Sequence, residues 1–414
     1  MQTFGCQMNL ADSRFFLKEF AKYGFAPTET ISKADAVLVN TCTVREHAEH
    51  RALSYIGRLL KWKNAGDNRL LAVTGCAAQR MGDKLRQKFP HIDIVLGAKE
   101  IDKFPSILAK AMCEKNLSDY CASKCLQKSQ VSEFITIMRG CSHKCSYCIV
   151  PSVRGKSVFY PSEKILEDVK RSCRNGAKEI ILLGQTVNSY RSKGVNFSAL
   201  IRLIHKIPQV KRIRYMSPHP AYVNEEFIKT LDDCPKVARS IHLPIQSGSD
   251  KILKLVKRGY TRKKIITLVE KLKARDISVS TDLMVGFPTE TNADFNETLN
   301  LVKECGFSNA YCFKYSPRAN TELAKHKRRI TQLVIERRLK KLLETVKKTS
   351  SEQFLKQIGT VQQVLMESDN RGRTSSNYRV KIDSKKVNKN HRPGSILKVK
   401  IRGRFKHTLI GDAL

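Results

Sequence analysis

The sequence predicts an α/β chain in three successive parts. These are a doubly wound parallel sheet over residues 1–118, an open, partial (β/α)6 barrel over 127–352, and a small all-β barrel over 353–414. Three observations carry this reading. Short apolar runs alternate with helical periodicity in the first part. The alternation restarts at Glu133 and repeats six times. Beyond Gln353 the pattern becomes short apolar stretches split by Asn, Gly and Pro.

In the first part, Thr3–Gly5 reads as the end of a strand. Asp12–Tyr23 reads as a helix, with Asp12 or Ser13 as its cap and Phe16, Phe20 and Tyr23 at helical spacing. Ala36–Val39 is a buried strand and Glu46–Leu60 a helix. Leu70–Val73 is a strand, Gln79–Phe89 a helix and Ile92–Leu96 a further strand. Lys115–Ser132 is polar and aperiodic, the pattern of a linker. The six barrel strands are Phe134–Met138, Glu179–Leu183, Arg212–Met216, Ser240–Leu243, Ser278–Val285 and Ala310–Tyr315. Helical runs lie between them, among them Ser162–Asn175, Asn224–Asp233, Thr261–Arg275 and Asn292–Glu304. Ile330–Leu355 is a long basic helix leading out. Thr360–Met366, Tyr378–Ile382, Ile396–Gly403 and His407–Ile410 are the strands of the last part.

The composition narrows the function classes. The chain has 414 residues, 41% of them hydrophobic, which excludes wholesale disorder. No run of 18 apolar residues occurs, and the start lacks the basic-then-apolar pattern of a secretory signal, so a cytoplasmic, non-membrane protein is expected. Thirteen Cys without such a signal argue for metal ligation or buried thiols rather than disulfides. The net charge of +38 points to a polyanion, RNA or DNA before membrane, against the plainer reading of a Lys-rich surface. Residues 325–414 hold 24 Lys+Arg against 7 Asp+Glu, so much of the excess lies there.

The strongest motif is Cys141-Ser-His-Lys-Cys145-Ser-Tyr-Cys148, which follows the first barrel strand through Arg139-Gly140. Three thiolates on one loop can hold three irons of a 4Fe–4S cluster and leave the fourth iron open. Zinc would need a fourth ligand, for which His143 is the local choice. A second set is dispersed. Cys6, Cys42 and Cys76 each lie just past the carboxyl end of a predicted parallel strand, the edge where doubly wound folds bind ligands. Spacing alone leaves a converging ligand set and three core thiols as competing readings.

The first motif, placed after the first strand of a βα barrel, resembles the radical S-adenosylmethionine superfamily. Gly5-Cys6-Gln7-Met8-Asn9, Asn40-Thr41-Cys42-Thr43-Val44-Arg45 and Gly75-Cys76 resemble the N-terminal domain of its methylthiotransferase family. Leu182-Leu183-Gly184-Gln185, Leu243-Pro244-Ile245-Gln246-Ser247-Gly248-Ser249 and Val285-Gly286-Phe287-Pro288-Thr289-Glu290-Thr291 are similar to later motifs of that family. Gly372-Arg373-Thr374 with Asn377 resembles the TRAM RNA-binding module. Met216–Pro220 and Gln246–Gly248 are nearest the MiaB branch, which methylthiolates N6-dimethylallyladenosine 37 of tRNA. The branch acting on threonylcarbamoyladenosine is its rival. A non-catalytic iron–sulfur RNA-binding protein is the reading from another class. The family's first strand usually starts several residues earlier, so either the true start lies upstream of Met1 or the strand is abbreviated.

The resemblance implies two 4Fe–4S clusters and S-adenosylmethionine. Cys141, Cys145 and Cys148 would ligate the radical cluster, and Cys6, Cys42 and Cys76 the auxiliary one. Tyr147 would pack on the cofactor adenine or shield the cluster. Gly184 and Gln185 end a strand beside the cofactor, where Gly allows close approach or simply a tight turn. Asp282 would bind ribose or amine, or be solvated or salt-bridged. Arg45 would neutralise the auxiliary cluster or sit on the surface. Cys113, Cys121 and Cys125 read as free thiols. Cys173, Cys234, Cys305 and Cys312 read as packing, and Trp62 has no assigned role. In the last part Arg373, Tyr378, Arg379, His391, Arg392, Arg402, Arg404 and Phe405 combine charge with aromatics, as phosphate contacts and base stacking require. The expected partners are a tRNA anticodon stem-loop, an electron donor and a sulfur source of unknown identity, and the protein is expected to be a monomer.

Overall fold

A computed structural model describes residues 1–66, 68–114, 130–383 and 392–414. Cys121, Cys125 and His391 lie outside the described residues. The chain divides into two compact units. The first is Met1–Gln127 with Arg139–His143 and Cys148–Val158; the second is Lys128–Met138, Lys144–Tyr147 and Phe159–Leu414.

The first unit holds β1 (Gln2–Thr3), α1 (Gln7–Lys22), β2 (Ala36–Thr41), α2 (Glu46–Asn64), β3 (Leu70–Gly75), α3 (Cys76–Met81), α4 (Asp83–Lys88), β4 (Ile94–Gly97), α5 (Phe104–Glu114) and α6 (Val150–Arg154). The four strands pair in parallel in the order β1-β2-β3-β4. β2 and β3 read as near-continuous apolar runs because both their faces are covered. On one face Phe16, Phe20, Phe104 and Leu108 pack on Leu38, Ala72 and Leu96. On the other, Ala52, Ile56, Leu59 and Trp62 pack on Val37, Val39, Leu71 and Val73. Trp62 is therefore a core residue, and its indole N–H donates to Ala34 O at 3.0 Å. Helices on both faces are the doubly wound arrangement that the alternation predicts.

Two elements differ from expectation. α1 starts at Gln7, with Cys6 in the cap position, so Asp12 and Ser13 are not caps but buried residues inside the helix. Their polarity is absorbed by partners: Ser13 Oγ meets Thr3 Oγ1 at 2.7 Å, and Asp12 pairs with Arg139 and Arg154. The single helix expected over Gln79–Phe89 is two short ones. Gly82, at φ +52°, breaks it.

The second unit starts with six parallel strands: β5 (Ser132–Thr136), β6 (Glu179–Leu183), β7 (Arg212–Tyr215), β8 (Ser240–Gln246), β9 (Ser278–Val285) and β10 (Asn309–Lys314). They form two sheets, β7-β6-β5 and β8-β9-β10. The parallel bridge of Ile213 with Val237 links them. There Ile213 N–H donates to Lys236 O at 2.7 Å and Ala238 N–H to Ile213 O at 2.8 Å. Helices α7 (Ser162–Arg174), α8 (Phe197–His205), α9 (Glu225–Asp233), α10 (Asp250–Leu255), α11 (Arg262–Lys273) and α12 (Asn292–Cys305) follow the strands in turn. On β9, Val279, Leu283 and Val285 join helix residues in the core, so Ser280, Asp282 and Met284 alternate onto the lumen face. α13 (Gln332–Leu355) packs Ile335, Leu342 and Val346 against Val285, Val302 and Ala310.

The chain ends in a closed five-stranded barrel. Its strands are β11 (Val361–Ser368), β12 (Arg371–Thr374), β13 (Arg379–Ile382), β14 (Ile396–Phe405) and β15 (Thr408–Ala413), in the order β11-β12-β13-β15-β14. β12 is absent from the sequence-based set. Its inward residues are Gly372 and Thr374, so no apolar side chain signals it. The 373–378 turn covers the amino-terminal end of the lumen. Arg212 donates to Arg373 O at 2.8 Å and Thr374 O at 3.2 Å. Arg239 N–H donates to Ser375 Oγ at 2.9 Å, and Arg214 bonds Asn377 Oδ1. Beneath the turn, buried Glu179 accepts from Arg214 at 2.9 Å and from Ser132 Oγ at 2.6 Å. Tyr378, expected to stack on bases, is instead buried in the small-barrel core, edge-on to Phe354 at 4.8 Å.

Candidate cluster and cofactor site

Cys6, Cys42 and Cys76 follow β1, β2 and β3, so the parallel sheet brings all three to one edge. The turns are tightly packed there. A Cβ on Gly5 would stand 2.8 Å from Cys42 Cβ. Gly75 adopts φ +100°, and a Cβ on it would meet Thr41 O at 2.3 Å. Asn9 ties the turns together by donating to Phe4 O, Asn40 Oδ1 and Thr41 O at 3.1, 3.0 and 2.9 Å. Cys6 is exposed, whereas Cys42 and Cys76 are buried. Burial pushes the Cys42 thiol up; the backbone N–H groups of Arg45 and Val44, bonded to its sulfur, work against that. Burial likewise pushes the Cys76 thiol up to about 11, with the Arg154 guanidinium pulling the other way.

Arg154 is a functional candidate that the sequence pattern does not distinguish from the other basic residues. Its Nε donates to Cys76 Sγ at 3.3 Å, and Nη2 donates to Asn9 Oδ1 at 3.0 Å. Both terminal nitrogens reach Asp12 Oδ2 at 3.2 Å, while Arg139 holds Asp12 Oδ1 at 2.7 Å. Arg45 is exposed ahead of α2.

The flanks of the contiguous motif belong to the same unit. Cys141 N–H donates to Gly155 O at 3.0 Å. Gly140 runs at φ +74° so close to Lys156 that a Cβ would stand 2.1 Å from its carbonyl oxygen. Ile149 and Val153, just past Cys148, share a buried cluster with Cys76 and Ala98. The structure thus packs the chain following one cysteine set directly against a member of the other. Among the described residues, no three His, Cys, Asp or Glu side chains stand close enough for a single metal ion. In a cubane each thiolate binds a different iron, so three thiolates holding three of its four irons stand farther apart than the ligands of a single ion.

In the second unit, Cys145 Sγ accepts from Arg258 Nη1 at 3.4 Å. Ser146 is anchored by its Oγ to Leu255 O at 2.9 Å. Tyr147 lies edge-on to Phe287 at 6.1 Å, in an apolar cluster with Ile252, Val256, Tyr315 and Leu323. Gly184 follows β6, where a Cβ would stand 2.4 Å from Met138 Cγ. Close packing requires the glycine there. Next to it, Gln185 Oε1 is buried without a hydrogen-bond partner, and so is Gln246 Oε1 at the end of β8. Gln246 sits at φ +83°, a costly conformation for a non-glycine residue. Two buried acceptors at the carboxyl ends of barrel strands are positioned to accept from a bound water or ligand. Asp282 Oδ2 lies 3.4 Å from His242 Nε2, and His242 Nδ1 meets Ser280 Oγ at 3.0 Å. Its carboxylate thus faces the His242 imidazole.

The remaining thiols separate by burial. Cys173, Cys234 and Cys305 are buried, Cys312 is half-buried and Cys113 is exposed on α5. Of the basic-aromatic set, Arg379, Arg392, Arg402, Arg404 and Phe405 are exposed, and Arg373 is half-buried against Glu367.

Residues 135–302 match the family model described as the Radical SAM superfamily, and residues 1–97 match that of Uncharacterized protein family UPF0004. A tRNA-2-methylthio-N(6)-dimethylallyladenosine synthase from Endomicrobium trichonymphae is 39% identical, covering 100% of this chain and 99% of its own. Its namesake from Acetivibrio thermocellus is 38% identical over 93% of this chain and 85% of its own. That from Helicobacter pylori strain P12 is 36% identical over 99% and 98%. The chain belongs to the tRNA-2-methylthio-N(6)-dimethylallyladenosine synthase family. Within this synthase family frame, the radical SAM match runs from the end of β5 through β9 and most of α12. The UPF0004 match ends with β4. Among solved structures, the radical S-adenosylmethionine methyltransferase TsrM from Kitasatospora setae superposes with a TM-score of 0.54 at 14% identity. It covers 72% of this chain and 67% of its own. That likeness concerns the fold. No helix among the described residues is long and apolar enough to cross a membrane.

Proposed function

We propose that this chain transfers a methylthio group to C2 of N6-dimethylallyladenosine at position 37 of tRNA, by radical S-adenosylmethionine chemistry. The observation that carries the reading is the full-length similarity to synthases of that name, in a chain whose two sets of three cysteines stand on the matched domains. Cys141, Cys145 and Cys148 would hold one 4Fe–4S cluster, and Cys6, Cys42 and Cys76 a second. The residues fit such groups. A buried guanidinium faces one sulfur of each set, and an iron–thiolate cluster carries the negative charge that complements it. When bound, the clusters and S-adenosylmethionine supply the one-electron reduction, the hydrogen-abstracting radical, the methyl group and the sulfur.

The protein's own residues bind, orient and exclude water. The orphaned Gln185 oxygen offers an acceptor to S-adenosylmethionine, and Gln246, which sequence reasoning left out of the site, offers a second. Gly184 lets Met138 and Val187 pack closely against the end of β6. Tyr147, backed by Phe287 and Tyr315, forms an apolar wall that keeps water from the cluster loop. Asp282, beside His242, would complete the proposed cofactor set by binding the ribose or amine of S-adenosylmethionine.

The functional segments would be 1–118 for the auxiliary cluster, 127–352 for the radical core and 353–414 for RNA. Exposed Arg379, Arg392, Arg402, Arg404 and Phe405 on the TRAM-like small barrel would hold the tRNA anticodon stem-loop by phosphate contacts and stacking. An electron donor and a sulfur source complete the partners, and the protein would act as a cytoplasmic monomer. Nucleoside mass spectrometry of tRNA from a strain lacking this chain tests the proposal. The 2-methylthio derivative should vanish and N6-dimethylallyladenosine accumulate. Persistence at full level would refute it, and loss of a threonylcarbamoyl derivative instead would move the substrate.

A further inference from the structure

Among the described residues five arginines are buried: Arg154, Arg212, Arg214, Arg258 and Arg338. Four have a carboxylate. Arg154 has Asp12, Arg212 and Arg214 share Glu179, and Arg338 has Glu290. Arg258 has none among the described residues. Its Nε meets Tyr260 Oη at 2.8 Å, its Nη2 donates to Pro244 O at 2.5 Å, and its Nη1 donates to Cys145 Sγ at 3.4 Å. It also stands over the Tyr260 ring, 5.4 Å from the centroid.

A guanidinium stays charged at any physiological pH. Burying one without a counter-anion is strongly unfavourable. The local backbone nevertheless holds it there. Lys257 and Gly259, on either side, take positive φ values of +57° and +73° and turn Arg258 inward. Tyr260, bonded to Ile245 O at 2.9 Å, fixes the guanidinium from the far side. Its Nη1 is thereby aimed at the Cys145 sulfur, which is an anionic thiolate whenever it ligates iron.

We infer that Arg258 is the counter-cation of the cluster at Cys141, Cys145 and Cys148, and that its charge sets that cluster's reduction potential. The inference rests on the proposed ligand role of Cys145. Adding an electron makes the cluster more negative, so a fixed positive charge at hydrogen-bonding distance stabilises the reduced state and raises the potential. Arg258 is a positioning and electrostatic residue that touches a proposed ligand sulfur.

The test is a redox titration of the anaerobically reconstituted full chain, followed by electron paramagnetic resonance. It is run in a Cys42→Ala background so that one cluster is observed. Arg258→Met and Arg258→Gln should keep the iron content of that background but titrate lower. At the Arg258 midpoint, the ratio of reduced to oxidised cluster should fall about tenfold, equal to about 59 mV for a one-electron couple. Arg258→Lys, which keeps the charge, should restore most of the shift. Neutral and lysine variants that titrate with Arg258 itself would overturn the inference, as would a lysine variant as low as the neutral ones. If Arg258→Met does not retain iron, the Gln and Lys pair decides. Cys145→Ala distinguishes the two levels: full iron retention there overturns the cluster assignment itself, not only the role of Arg258.

Discussion

Arg154 Nε donates to the sulfur of Cys76 at 3.3 Å across 78 residues of sequence. The same guanidinium neutralises Asp12 and satisfies Asn9, which holds the turns around Cys6 and Cys42. One side chain from the segment after the Cys141–Cys148 motif therefore organises the edge that carries the other three cysteines. Arg154→Met should destabilise the first unit of the apo-protein by roughly 3–5 kcal/mol, because it leaves a buried carboxylate with one partner fewer. Chemical denaturation measures this. A change below about 1 kcal/mol would mean that Arg139 alone compensates Asp12.

Glu179 plays the matching part at the amino-terminal end of the lumen. Burial alone would raise its carboxyl, but Arg214, Ser132 and Arg212 together hold it below the usual range. Glu179→Leu strands two arginines that also hold the 373–378 turn. The expected cost is again roughly 3–5 kcal/mol. Hydrogen exchange should report faster opening at Thr374 and Tyr378, whose amides bond within this turn. Unchanged protection there would separate the turn from the ion pairs beneath it.

Asp294 gives a pH signature. Burial tends to raise its carboxyl, but hydrogen bonds from Lys251, the Thr291 backbone and the Ser249 and Thr291 hydroxyls hold it well below the usual range. A lowered folded value stabilises above the unfolded value, and that stability is lost as pH falls through the folded one. Asp294 also completes the capping box of α12. Asp294→Asn should cost about 1–2 kcal/mol at neutral pH. The gap from wild type should shrink as pH falls below about 4. A gap that stays constant with pH would show that charge is not the cause.

Gly75 is a backbone constraint on the cysteine edge. With φ +100° and Thr41 O 2.3 Å from where a Cβ would stand, Gly75→Ala must shift the β3 turn or strain it. A loss of about 1–3 kcal/mol is expected, with reduced iron uptake. Thermal denaturation and iron analysis of one preparation check both.

The strands of the central barrel were legible because each is a short apolar or alternating stretch followed by a run of different period, and Glu179–Leu183 and Ser278–Val285 agree to the residue. The cysteine edge was legible because parallel strands put their carboxyl ends together. What the pattern hid was polar burial. Asp12 and Ser13 look like caps until Arg139, Arg154 and Thr3 are seen to satisfy them. β12 pairs through backbone and carries no apolar signature. Arg154 and Arg258 are two of 76 basic residues, and only folding shows that they face sulfur. Tyr378 could not be told from a surface aromatic because its neighbours Asn377 and Arg379 are polar and exposed.

Iron and sulfide counting after anaerobic reconstitution tests the two-set assignment most directly. Wild type should hold about eight iron per chain, and Cys42→Ala and Cys145→Ala should each hold about half. Full iron retention in either variant, or complete loss in both, would contradict two separate clusters on these residues.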